Sequence, residues 1–275
     1  MKKFMLFFSA AALSLLFINC RSGLVTMGND CYKAIDAGKA SNKTGNYTAA
    51  LDQFNLVLKK CDAYDAKEKA YAGKAEALNG LKQYNDALAA SNEGLKITKT
   101  SIDNLFQKAN AELGLKMPAE AKADFAQIID ITQKNQNTKE RATIYAKMAE
   151  IDLQQSMYSD AMNNIQTAIT TDNSNPDLYI LQGDIYTAQA DYAAALSSYN
   201  QAITYANNST AVWQAKVESE TGLFQKKYGV VGNAADLAGK MSAADKQLLC
   251  SDISGAKNNG VKSPTIDLLQ LSICK

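Results

Sequence analysis

The sequence predicts an all-α chain built from a repeated pair of helices. Three observations carry that prediction. First, five sets of residues share offsets of three, four and three. They are Tyr47, Ala50, Phe54, Val57; Tyr84, Ala87, Ser91, Gly94; Pro118, Ala121, Phe125, Ile128; Tyr158, Ala161, Ile165, Ala168; and Tyr192, Ala195, Tyr199, Ala202. Each set falls on one helical stripe, and its alanine follows the previous one by 37, 34, 40 and 34 residues. Second, a small residue precedes every one of those alanines by 12 positions: Gly38, Ala75, Ala109, Ala149 and Gly183. Ala34, Tyr71, Leu105, Tyr145 and Tyr179 stand four residues earlier still. A constant offset, five times over, places a first helix ahead of each second one. Third, the chain is alanine-rich, which favours helix, and has only three prolines in 275 residues, too few for a loop-rich sandwich.

Composition narrows the chemistry. The chain has no histidine, so Ser-His-Asp triads, Cys-His dyads, HExxH zinc sites and histidine-ligated haem are excluded. Lys+Arg number 29 against 28 Asp+Glu, with no basic block, which argues against nucleic acid as the main partner. No cofactor and no metal site is expected, since the cysteines have no CxxC spacing. Gly229-x2-Gly232 lacks a following GK[ST] and is a loop signal, not a phosphate cradle.

The elements follow in chain order. Residues 1–19 read as a secretory signal: Lys2 and Lys3, then an apolar run from Phe4 to Ile18. As a helix that run reaches about 22 Å, short of the roughly 30 Å hydrocarbon core, so a retained span is the weaker reading. Phe17-Ile18-Asn19-Cys20 resembles a bacterial lipobox, which implies that Cys20 is lipidated and becomes the mature N-terminus. Phe17 and Asn19 depart from the usual Leu and Gly/Ala; ordinary cleavage nearby, for example after Ser22, is the alternative. Residues 20–29 are then an anchor linker.

The repeats occupy 30–225. The extra residues of the 37 and 40 steps fit between units, near Asp62–Ala66 and Lys134–Lys139, and Gly80 and Gly114 sit where a turn joins the two helices of a unit. Trp213, 34 residues after Tyr179, starts a sixth first helix, with Val217 and Gly222 in the small and turn positions. The segment Trp213–Phe224 reads as a closing helix over the last repeat's apolar face. Residues 226–275 form a helical extension. Ser242-Ala-Ala-Asp245 reads as a capping box opening a helix towards Cys250, and Ser263-Pro264 opens another with Ile266, Leu269 and Ile273 on one face. Ser254–Val261 between them is polar and reads as a loop that returns the tail to the solenoid's end.

A period near 34 with two helical stripes resembles the tetratricopeptide repeat family over about residues 30–225. The best unit is Tyr179-x3-Gly183-x2-Tyr186-x5-Tyr192-x2-Ala195-x3-Tyr199-x2-Ala202. Pro118 in place of Tyr, and Ser91 with Gly94, depart from the pattern. The resemblance implies a right-handed superhelix, an α-solenoid of about five antiparallel helix pairs. It also implies that small residues sit where helices touch and aromatics fill the gaps between units.

Within such a pair Cys31 begins the first helix and Cys61 ends the second, so the two are neighbours. A bridge there would close a loop worth about 3.5 kcal/mol in the chain-entropy account. Cys250–Cys274 follows by elimination, and four buried free thiols are the alternative.

The resemblance further implies that first helices line the concave face, with the residue after each small packing position pointing into it: Lys39, Glu76, Asn110, Glu150, Asp184 and Glu218. Tyr32, Phe106, Ile180 and Gln214 add to that groove. The acidic line of the last three carboxylates favours a peptide carrying Lys or Arg, although solvated helix faces commonly carry acids. The family's carboxylate clamp uses Lys, Asn and Arg, and this acidic line does not match it.

No catalytic residue is expected. The chain reads as a lipid-anchored scaffold or adaptor of the bacterial cell envelope, binding a protein or peptide through its superhelix. It resembles the class of repeat lipoproteins that serve envelope assembly, secretion and protease-adaptor roles, which implies a role of that kind. The alternatives are a surface lipoprotein that binds an external or host protein, and a periplasmic hydrolase using groove carboxylates such as Glu150 and Asp184.

Overall fold

The computed structural model describes residues 29–133, 138–206 and 209–274. The expected signal, the expected lipid site at Cys20 and nearly all of the linker lie outside the described residues, as do 134–137 of the second insertion. Among the described residues there are fourteen helices and no strand.

The first ten helices are five antiparallel pairs: α1 (Asn29–Lys43) with α2 (Tyr47–Lys60), α3 (Tyr64–Gly80) with α4 (Tyr84–Ile97), α5 (Ile102–Gly114) with α6 (Pro118–Thr132), α7 (Thr138–Gln154) with α8 (Tyr158–Thr171), and α9 (Pro176–Ala188) with α10 (Tyr192–Tyr205). Each second helix also packs on the first helix of the next pair, which makes the stack continuous. The alanines Ala50, Ala87, Ala121, Ala161 and Ala195 are fully buried, and so are Ala75, Ala109 and Ala149 of the earlier register. Small residues are needed there because the paired backbones approach closely. Gly38 and Gly73 show the limit: a Cβ on either would come within 3.0 Å of the Phe54 ring that lies between them. All three prolines, Pro118, Pro176 and Pro264, sit at helix starts, where the missing N–H costs nothing.

Three local expectations are corrected. The inserted residues do not simply lengthen loops. Tyr64–Ala66 and Thr138–Lys139 are helical, so α3 and α7 have 17 residues where α5 and α9 have 13. Gly80 and Gly114 end α3 and α5 without a left-handed backbone. They are glycine because a Cβ would strike the rings of Tyr47 and Tyr84, which lie against them from the preceding repeat. The expected loop at Ser254–Val261 is helical as far as Asn258, which leaves Cys250 in mid-helix.

Helix α11 (Thr210–Tyr228) packs on α10 and is longer than the expected Trp213–Phe224. Its other face carries α12 (Ala234–Lys240), α13 (Ala243–Asn258) and α14 (Pro264–Ile273). Val217, Phe224, Leu237, Leu249, Ile253 and Ile266 form the core of this end. Helix α12 escaped the sequence reading: with seven residues it shows no periodicity. Ser242 caps α13, accepting from the Asp245 N–H at 3.2 Å, but the box closes through a third residue. The Tyr228 hydroxyl donates to the Asp245 carboxylate and accepts from the Ser242 N–H at 3.0 Å.

Among the described residues there are two disulfides, Cys31–Cys61 in the first helix pair and Cys250–Cys274 between α13 and α14. Among the described residues no helix is long and apolar enough to cross a membrane.

Candidate functional site: two concavities on the inner face

The odd-numbered helices α1 to α11 lie side by side and form one face of the stack. Among the described residues, concavities open on it at two places, and every residue lining them comes from these helices.

The larger has a volume of about 560 Å³. Its floor is Ala72, Ile102, Phe106 and Ile144. Phe106 is half-buried and held edge-to-face against the core ring of Phe125, with centroids 5.8 Å apart. Lys39, Lys43 and Lys69 stand over α1 and α3, and Asp103 and Glu140 over α5 and α7. The hollow has a structural cause. First helices of neighbouring repeats approach closely at α1–α3, α3–α5, α7–α9 and α9–α11, but α7 stands off α5. This is the junction that carries the longest insertion. Glu76 is also part of this lining, and its carboxylate accepts from Asn42 Nδ2 at 2.9 Å.

The second concavity, of about 410 Å³, lies over α7, α9 and the start of α11. Leu153, Ile180 and Leu181 form its apolar strip, and Glu150, Asp177 and Asp184 its rim. Glu150 is paired with Lys147 at 2.7 Å. Asp184 accepts from the Tyr199 hydroxyl at 2.8 Å. Burial raises the Asp184 pKa above the usual carboxylate value, and the nearby Glu218 charge adds to the rise, while the tyrosine bond opposes both. The same tyrosine contacts Thr187, which pairs with Ser219 of α11 at 2.7 Å, so Asp184 anchors a polar stitch between repeats as well as facing the groove. Of the pair Glu150 and Asp184, neither carboxylate is therefore without a partner.

The sequence-predicted groove residues divide as follows. Lys39, Glu76 and Phe106 meet in the first concavity, and Glu150, Ile180 and Asp184 in the second. Glu218 and Gln214 lie on α11 and bond to each other at 2.9 Å, outside both linings. Asn110 on α5 and the exposed Tyr32 on α1 line neither. The sequence reading missed Lys43, Lys69, Asp103, Asp177 and Glu140. The first four were within reach of periodicity. Lys69, Asp103 and Asp177 lie seven residues before Glu76, Asn110 and Asp184, hence two turns along the same stripe, and Lys43 lies one turn beyond Lys39. Glu140 belongs to the extra turn of α7 and has no counterpart in shorter repeats. Among the described residues no group of His, Cys, Asp or Glu is arranged to hold a metal ion.

Residues 176–209 match the family model of the tetratricopeptide repeat. No curated protein matches the chain in sequence. Among solved structures, PilF of Pseudomonas aeruginosa superposes with a TM-score of 0.64 at 13% identity, over 88% of this chain and 97% of that one. A tetratricopeptide repeat protein from Parabacteroides merdae gives 0.56 at 13% identity, over 89% and 99%. YrrB, described as a tetratricopeptide repeat protein with an unusual peptide-binding site, gives 0.51 at 12% identity, over 78% and 95%. At these identities the likeness is one of fold. Residues 176–209 are thus a tetratricopeptide repeat, and the stack of five helix pairs has the fold of tetratricopeptide repeat proteins.

Proposed function

We propose that the chain is a binding scaffold that holds a segment of a partner protein on its inner face, tethered to a membrane of the bacterial envelope by a lipid on Cys20. The second concavity carries the reading. An apolar strip of Leu153, Ile180 and Leu181 rimmed by three carboxylates suits a segment with apolar residues flanked by Lys or Arg. The acids contribute orientation and on-rate, and the apolar strip contributes affinity. That YrrB, a protein of the same fold, is described as having a peptide-binding site supports the use of this architecture for peptides. The anchor rests on the sequence alone, on Phe17-Ile18-Asn19-Cys20 after a basic and apolar leader.

The groove is tested with Glu150→Lys combined with Asp177→Lys. Both side chains reach solvent, whereas Asp184 is bound into the fold. Binding of a Lys- and Leu-containing peptide, read by fluorescence anisotropy, weakens about tenfold, a loss of about 1.4 kcal/mol, with the helical circular-dichroism signal unchanged. Equal binding by both proteins would refute the acidic rim. For the anchor, fatty-acid labelling in bacteria is lost in Cys20→Ser. Protease treatment of intact cells then separates a periplasmic scaffold, which resists, from a surface receptor, which is digested.

A further inference from the structure

We infer that the inner face is a dipolar groove, and that its partner segment carries acidic residues at one end, a bulky apolar residue in the middle and Lys or Arg at the other, with the acidic end over α1 and α3. This rests on the reading of that face as a protein-binding groove and adds the sign and order of the partner's charges.

The charges on the inner face are sorted by position along the stack. Lys39 and Lys43 of α1 and Lys69 of α3 line the first concavity, and among the described residues none of the three is in an ion pair. From α5 onward the groove carboxylates are Asp103, Glu140, Glu150, Asp177 and Asp184. No basic side chain of α5, α7 or α9 lines either concavity, and three of them are turned to other uses. Lys108 of α5 is drawn between Glu112 and Asp124, at 3.0 and 2.7 Å. Arg141 of α7 donates to the Thr132 carbonyl at 2.7 Å, and Lys147 pairs with Glu150. Helix α9 has no basic residue. The one carboxylate that α1 and α3 contribute to the lining of the first concavity, Glu76, accepts from Asn42. Three unpaired ammonium groups at one end and a run of carboxylates from the middle to the other end leave a field along the groove that neither an all-basic nor an all-acidic segment satisfies. The apolar floor of Ile102, Phe106 and Ile144 lies where the sign changes, and fixes where the partner's bulky apolar residue sits. A ligand of the wrong polarity is disfavoured by like-charge contacts at both ends, which is where specificity arises.

The test uses the purified chain and three fluorescent peptides of equal length built on a central Leu-Phe: one with Glu on one side and Lys on the other, one with Lys on both sides and one with Glu on both. The mixed peptide binds about tenfold more tightly than either single-sign peptide, and the preference shrinks as salt rises. Lys39→Glu, Lys43→Glu and Lys69→Glu together weaken the mixed peptide about tenfold and tighten the all-Lys peptide. A photo-cross-linker on the acidic end of the mixed peptide labels α1 or α3. If the all-Lys peptide binds as tightly as the mixed one and the triple variant changes neither, the dipolar groove is overturned while the binding scaffold stands. Cross-links from the acidic end to α9 or α11 overturn it too. If no peptide binds, the scaffold reading falls with it.

Discussion

At the scale of single residues, the repeat makes the same demand five times and the sequence meets it with different side chains. The residue two before the start of each second helix has a left-handed backbone: Gly45, Lys82, Lys116, Ser156 and Ala190, with φ of 75°, 60°, 62°, 59° and 57°. Only the first is glycine. For the others Cβ crowds the neighbouring carbonyl, at about 1 kcal/mol each. Ala190 has no polar group with which to offset that cost. Ala190→Gly should therefore raise stability by about 0.5 kcal/mol, part of the gain being lost to the freer unfolded chain, whereas Ala190→Val should lower it; thermal melts of the three proteins check both signs. The contact of Phe54 with Gly38 and Gly73 makes an opposite demand, for the absence of a side chain. Gly73→Ala should cost about 1–3 kcal/mol by overpacking. Phe54→Leu, itself destabilising, should cost less in the Gly73→Ala background, because the two changes share one space. Additive losses in a double-mutant cycle would show that the ring escapes elsewhere.

At the scale of elements, the ten repeat helices were legible because each obeys its own period. Ala50, Phe54 and Val57 appear as a stripe in the sequence and are buried together in α2. The turns were not legible in the same way, because the glycines that look like turn signals answer packing from a neighbouring repeat. Gly114 meets Tyr84, 30 residues away, and no local pattern announces that. The concave face was half legible. Its stripe could be read from any one helix, but the hollow between α5 and α7 depends on how two repeats diverge. The tail shows a further kind of hidden feature, a buried ionisable cluster. Glu220 of α11 is buried beside Asp252 of α13, which pairs with Lys216 at 2.7 Å. Burial, then the hydrogen bond and charge of Asp252, push the Glu220 pKa up to about 8, against the opposing pull of Lys216 and with a smaller push from Asp245. Its unfolded value is lower, so between the two the folded chain holds a proton that the unfolded chain has released. Stability from this site is present below the unfolded pKa and is lost as pH rises through about 8. Above that pH an ionised carboxylate is buried without full compensation, at a cost of about 1–3 kcal/mol. Glu220→Gln keeps a donor for Asp252 and cannot ionise. Urea denaturation at pH 6 and pH 9 should show a loss in the wild type that is much smaller in the variant. Equal losses would assign the pH dependence to other groups.

At the scale of the whole molecule, each helix pair touches only its neighbours, so stability is close to a sum of repeat and junction contributions. Interior junctions are stitched by polar contacts as well as apolar ones. Asn79 of α3 donates to the Gln107 carbonyl of α5 at 2.9 Å, and Lys122 of α6 pairs with the buried Asp152 of α7 at 2.5 Å. Among the described residues the first and last units each pack on one neighbour, and the ends of such a stack are where it frays. The disulfides lie at those ends, Cys31–Cys61 closing the first helix pair and Cys250–Cys274 the last. Their effect should therefore be local. Replacing Cys31 and Cys61 by serine removes a constraint worth about 3.5 kcal/mol on the unfolded first repeat in the chain-entropy account. Hydrogen exchange should then quicken in α1 and α2 and, more weakly, in α3, while the amides of α8 and α10 keep their protection. A loss of protection spread evenly over all five repeats would mean that the solenoid opens as one cooperative block, and that the staple acts on the whole stack. The same comparison bears on the groove. Lys39 and Lys43 stand on α1, so a frayed first repeat disorders the basic end of the inner face and leaves the acidic end on α7 and α9 in place. Reduction or the double serine variant should accordingly weaken a segment of mixed charge more than a purely basic one, a difference that anisotropy titrations with the two peptides can read directly.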